Sequence, residues 1–305
     1  MALNNPAFNN PAFQDPKAVN SYPGGPQAAT LGGPTQYAST AHMGVDAATN
    51  AQLEGKFASP SAGAIETDRM TYEDTAIKTV GLFVVLLVTA VGGWVWTMAG
   101  VTPVNPNPSI MPWIIGMLGG FVLSLAVIFT SRKKIRPGLI FGYAAFEGLF
   151  IGGISAYFEI IWPGIVIQAA LATFAVVGVT LALFSSGKIR ASKKANKIFM
   201  IALFGYMAFG LLNLILMWTG VTDGMFGLYS EPSPILGIPW GVIIGLFVVV
   251  LAAYSLVQDF DQIQQGVRNG APRQYGWLGA FGIMVTVIWL YIEILRIIAI
   301  VRGSN

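Results

Sequence analysis

Four ionisable side chains interrupt stretches of the sequence that are otherwise apolar: Glu147, Asp259, Glu293 and Arg296. A charged group at membrane depth costs roughly 2.5–3.5 kcal/mol on insertion scales, so each should face protein, water or a partner rather than lipid. Carboxylates staggered in depth suit a proton or cation path, because each acceptor shortens the dry distance to the next. A hard cation also needs several oxygen ligands, which carboxylates and backbone carbonyls supply. Every member has a plainer reading. Glu293 and Arg296 are spaced to neutralise each other on one helix face, or Arg296 snorkels to the interface. Glu147 has no such local partner, and its structural alternative is a protonated hydrogen-bond donor held in the dry interior. Asp259 and Asp261 fall where the end of a helix tolerates acids.

Other chemistries are excluded by composition. The chain has no cysteine, which removes disulfides, thiolate metal sites and cysteine nucleophiles, and its single histidine, His42, lies in a polar stretch. No Walker loop, His-Glu-x-x-His or Gly-x-Ser-x-Gly occurs. A two-aspartate intramembrane protease would need acids on separate helices, yet Asp259 and Asp261 share one. The basic loops are short and lack aromatic platforms, so no nucleic-acid partner is expected. A non-enzymatic protein without a cofactor or a firm metal site is the expectation.

The elements that must position these groups are membrane helices. Of the 305 residues 54% are hydrophobic and only 10% charged, whereas soluble domains carry roughly a quarter charged residues. A span needs about 20 apolar residues. Seven such runs occur, over about 76–99, 111–130, 138–158, 163–184, 198–218, 236–258 and 275–301. Thr71, Glu73 and Asp74 form a helix-start signal before the first. Gly148 and Gly152 in the third make a small-xxx-small pair that allows another backbone to approach. Tryptophans near several span ends (Trp94, Trp96, Trp113, Trp162, Trp218, Trp240, Trp277) suit an interfacial belt. The fold class is therefore an all-α integral membrane protein, a seven-helix bundle. The last helix carries Glu293 and Arg296 within an apolar run and should be the central one, walled by the others.

Lys and Arg cluster at 132–136 and 188–197, with Arg268 and Arg273 between the last two spans, while the alternate loops carry none. The positive-inside rule then places the N-terminus in the cytoplasm and the C-terminus outside, in a cytoplasmic (plasma) membrane. On this topology Glu147 lies about nine residues, or ~14 Å, from the inner end of its span. Asp259 lies at the inner end of the sixth, and Glu293 toward the outer end of the seventh.

Residues 1–66 lack an apolar core, so no cleavable leader is expected, and they are rich in Asn, Pro, Gly, Ala, Ser and Thr. Such a composition buries too little surface to offset ordering, which predicts a disordered cytoplasmic tail before a membrane domain over 67–305. Asn4-Asn5-Pro6-Ala7-Phe8 is repeated at Asn9-Asn10-Pro11-Ala12-Phe13. This is either a tandem Asn-Pro-x-Phe docking motif or low-complexity drift.

Four segments in this order resemble the Bax inhibitor-1 (transmembrane Bax inhibitor motif) family, in a bacterial branch with a long tail. They are Met70-Thr71-Tyr72-Glu73-Asp74-Thr75, Phe146-Glu147-Gly148-Leu149-Phe150-Ile151-Gly152, Asp259-Phe260-Asp261-Gln262-Ile263 and Trp289-Leu290-Tyr291-Ile292-Glu293-Ile294-Leu295-Arg296. The resemblance spans about 70–302 and implies a seven-helix bundle with a pH-sensitive leak, chiefly of Ca²⁺. It also implies a gate of two aspartates, one on each of the last two helices. Asp259 matches the first. For the second, Thr286 matches when the arginine-containing ends are aligned, and Glu293 when the Leu-Tyr-x-acid signature is. Transient Ca²⁺, protons, lipid and a membrane-protein partner are the interactions expected. The alternative function is a scaffold that regulates another membrane protein, such as a membrane-bound protease, without ion transport.

Overall fold

The computed structural model describes residues 68–102, 107–222, 224–234 and 236–303. The tail over 1–66, with its repeated Asn-Pro-Ala-Phe, and the loop residue Asp223 lie outside the described residues. Seven helices are long and apolar enough to cross a membrane. They are α1 (Tyr72–Met98), α2 (Met111–Ser131), α3 (Pro137–Ile161), α4 (Ile165–Ser185), α5 (Lys193–Trp218), α6 (Trp240–Arg268) and α7 (Gly276–Gly303). Short 3-10 turns at Gly227–Ser230 and Arg273–Tyr275 precede α6 and α7.

Local chemistry sets most helix starts. Thr71 accepts a hydrogen bond from the Asp74 amide at 3.1 Å, so the expected cap forms and α1 begins at Tyr72. Ser192 caps α5 through the Ala195 amide at 3.2 Å. Pro112 and Pro137 stand in the first turns of α2 and α3, where a missing N–H costs nothing. Glu159 accepts from the amides of Gly164 (2.5 Å) and Val166 (3.1 Å), and this carboxylate turns the chain from α3 into α4. Gly164 takes a left-handed φ of 83° at that corner, which glycine permits.

The bundle is built around α7. Of its apolar window 56% is buried, against 11% for α5, and it packs on α6, α1, α4 and α3. On the other side α3 is clasped between α1 and α2. Gly148 and Gly152 make the first of these contacts possible: a Cβ at Gly152 would run into the Ala90 carbonyl, and one at Gly148 into Leu86 and Thr89. Gly93 returns the approach, since its Cβ would meet the Leu149 carbonyl. Without a hydrophobic force between helices in lipid, close packing of this kind is what holds α1 to α3. The opposite faces present Val84, Leu87, Phe121, Phe174, Phe204 and Leu246 outward, as a lipid-facing surface does.

One end of the bundle gathers the basic connections. Met70 donates to the Ala271 carbonyl (2.7 Å) and Arg273 to that of Asp68 (2.8 Å), while Arg190 reaches Gln264 at 2.9 Å. At the other end Arg302 donates to the Pro163 carbonyl and to Gln168, both at 2.9 Å. Two tryptophans of the expected interfacial belt are half-buried and pack on neighbouring rings. Trp277 meets the Phe141 ring edge-on at 5.1 Å, and Trp162 stacks on Phe158 at 5.7 Å. Trp218, by contrast, is 89% exposed.

The largest difference from the sequence expectation is in α6. It begins at Trp240, after Pro239, rather than near 236, and it runs to Arg268 rather than stopping at 258. The polar stretch after Gln258 reads as a surface segment, but tertiary contacts bury Gln258, Asp259, Gln262, Ile263 and Gly266 along one side of a continuing helix.

Candidate functional site at the α6–α7 seam

The extension of α6 moves Asp259 from a helix end into the interior. It stands nine residues before Arg268, or ~14 Å along the axis, and is fully buried. Opposite it on α7, Thr286 is ten residues in from Gly276, ~15 Å by the same measure. The Thr286 hydroxyl donates to Asp259 Oδ2 at 2.6 Å, a short bond as charge-assisted ones are. Ser255 Oγ lies 3.4 Å from Thr286 Oγ1 and adds a third oxygen to the seam. Gln258 and Gln262, four apart on α6 and both buried, flank Asp259 in sequence, and their amide nitrogens have no hydrogen-bond partner among the described residues.

Asp261 belongs to the same helix but to another side. It is half-buried and accepts from Gln265 Nε2 at 2.8 Å, one turn on. It is helical, not part of an aqueous loop.

Glu293, the other candidate partner for Asp259, points elsewhere. Arg296 Nη2 bonds Glu293 Oε2 at 2.6 Å, and the Tyr206 hydroxyl of α5 donates to Glu293 Oε1. Arg296 Nη1 reaches the Tyr206 oxygen at 3.0 Å, and its guanidinium lies 4.3 Å from the centre of the Tyr229 ring. The Arg296 side chain is only 17% exposed, so it does not snorkel to the interface. It closes a neutral cluster that ties α7 to α5 and to the 3-10 turn before α6.

Glu147 occupies a third seam. A Cβ on Gly120 of α2 would lie 2.9 Å from its Oε1, so this glycine leaves room for the carboxylate between α2 and α3. Its neighbour one turn back, Tyr143, interacts with it through the phenol and packs its ring on Phe281 of α7 at 4.9 Å. The candidate acids thus stand at three seams: α2–α3, α6–α7 and α5–α7. Among the described residues no three His, Cys, Asp or Glu side chains converge as a metal site.

A further ionic cluster escaped the reading of the sequence. Lys78, inside the first span, pairs with Asp74 and donates to the Arg273 carbonyl at 2.8 Å, while Arg273 Nη2 meets Asp74 at 2.8 Å. The signal was present as an acid and a lysine four apart. These contacts lock the start of α1 to the connection before α7.

Comparison with known proteins agrees with this architecture. A family model described as Bax inhibitor 1 like matches residues 5–303. That match runs from within the N-terminal stretch through all seven helices. No curated protein and no solved structure matches the chain significantly. With a family model covering nearly the whole sequence, the chain belongs to the Bax inhibitor 1-like family.

Proposed function

We propose that this protein is a pH-sensitive cation leak of the cytoplasmic membrane, with Ca²⁺ as its favoured ion. The observation that carries the reading is the buried Asp259–Thr286 pair, which bridges two packed helices about a third of the way in from their basic ends. A carboxylate placed there, bonded to the Thr286 hydroxyl with the Ser255 hydroxyl beside it, costs too much to be incidental and defaults to function. Taking up a proton removes the charge that attracts a cation and reverses the donor role at Oδ2, so one event alters both ion affinity and the bond that holds α6 to α7. The chain is a non-enzymatic protein without a cofactor, and Ca²⁺ binds only in passing. By the positive-inside rule its N-terminus and basic connections face the cytoplasm and its C-terminus the outside.

In this arrangement Thr286 stands where the resemblance implies a second acid. A hydroxyl carries no charge, so the gate titrates as a single carboxylate rather than as a coupled pair. Glu293, neutralised by Arg296, serves to anchor α7 to α5. The test is Ca²⁺ flux into liposomes that hold the purified protein and an entrapped indicator, measured across a pH series. Flux that varies with pH in wild type and becomes pH-independent or vanishes in folded Asp259→Asn is expected. A wild type that passes no cation at any pH overturns the reading.

A second reading, a scaffold that regulates another membrane protein, draws on α5. This helix buries little surface and presents Ile201, Phe204, Leu211 and Leu214 outward. Loss of a co-purifying membrane partner on substituting that stripe, with no flux in wild type, would favour it.

A further inference from the structure

Between α1 and α4 the bundle is open. Both helices pack on α7, yet they do not close on each other, and a groove with a cavity of about 530 Å³ lies between them. Its rim carries Leu87 and Val91 of α1 and Phe174 of α4, all strongly exposed. Its floor is Val287, Ile288 and Tyr291 of the central helix. The groove is sealed in polar terms. Ser155 and Tyr291 bond each other at 2.7 Å, and Thr173 donates to the Ala169 carbonyl at 2.7 Å. No lining hydroxyl is left in need of water, and an apolar cavity of this kind does not hold it.

Three properties define what can occupy the groove. It lies within the apolar spans and runs from Phe83 and Phe174 near mid-span toward the end opposite the basic connections, which it approaches at Trp94 and Val166. It is continuous with the lipid-facing surface of α1 and α4, where Ile77, Val84, Val88, Ile167 and Leu171 are exposed. It offers an occupant almost entirely apolar contact, the Trp94 indole N–H apart. We propose that it is a binding site for one acyl chain of a bilayer phospholipid, which enters between α1 and α4 and lies against α7. The occupant supplies the dispersion contacts that the missing α1–α4 interface does not. The inference does not depend on ion transport. If α7 also carries the gate, the chain rests one residue from Thr286 and is placed to bias it.

The experiment uses the full chain in nanodiscs made with a phosphatidylcholine that bears a photoactivatable diazirine on its acyl tail. After irradiation, labelled peptides are mapped by mass spectrometry. Wild type is expected to label the floor residues Val287, Ile288 and Tyr291 as well as outward residues such as Val88 and Leu171. Ala170→Trp fills the groove from α4, and Val91→Trp covers it from an exposed rim position that folding does not need. Each should lower floor labelling several-fold while outward labelling stays constant. Absence of floor labelling in wild type overturns the proposal, whether a second copy of the chain or a closed α1–α4 contact is the reason. So does floor labelling that neither tryptophan reduces.

Discussion

Thr286 on α7 donates a 2.6 Å hydrogen bond to Asp259 on α6, and both residues are buried at matching distances from the same end of the bundle. The resemblance left two positions open for the partner of Asp259, and the geometry pairs it with the hydroxyl rather than with Glu293. The consequences can be tested by changing the number of titrating groups at the seam. Thr286→Val, nearly isosteric, removes the donor and leaves a buried carboxylate short of one bond. Cation flux in liposomes should then change its pH profile while the fold persists. Thr286→Asp places a second carboxylate beside the first, and two acids this close titrate in two coupled steps. The pH response should broaden or split. Profiles that match wild type in both variants would remove the gate from this seam.

Glu147→Gln should behave differently, because Glu147 lies between α2 and α3 rather than against Asp259. Flux and its pH profile are expected to stay close to wild type. A flattened response would extend the titrating path to that second seam.

Glu293 and Arg296 form a buried pair, and removing one partner strands the other. Breaking such a pair costs about 3–5 kcal/mol. Arg296→Met should lower the thermal unfolding temperature in detergent markedly, and the double variant Glu293→Gln with Arg296→Met should recover much of the loss. Equal melting of all three proteins would mean that the cluster does not anchor α7 to α5.

Gly152 sits where a Cβ would collide with the Ala90 carbonyl. Gly152→Val should separate α1 from α3, with loss of the monodisperse detergent-solubilised protein or a cost within about 1–3 kcal/mol for overpacking. Gly81, on α1 with open space around it, is the control: Gly81→Ala should be tolerated. Size-exclusion profiles of the two variants decide the point.

The orientation is accessible because the chain has no native cysteine. Single cysteines at Asn107 and Met225 should react with an impermeant maleimide added to intact cells. Those at Ser186 and Gln274, at the basic end, should react only after permeabilisation. The reverse pattern would invert the topology and the depth assigned to each acid.

The sequence by itself determined the number and order of the spans, the Thr71 cap, the Gly148–Gly152 approach face and Asp259 as a group of interest. These follow from properties a residue carries locally: hydropathy over a helix length, side chains that bond nearby amides, and the lack of a Cβ. Tertiary structure alone decided which way each helix turns about its own axis. Hydropathy cannot report that rotation, because Leu gains no more against a neighbouring helix than against lipid, and packing sets it instead. So the sequence showed that Glu293 and Arg296 are spaced to pair, but not that Tyr206 and Tyr229 close the cluster from outside α7. It showed polar residues after Gln258 but not that packing carries α6 on to Arg268 and encloses Asp259. It offered Thr286 and Glu293 on one helix face, two turns apart. The register of α6 against α7 then selected Thr286, since only that residue lies level with the carboxylate.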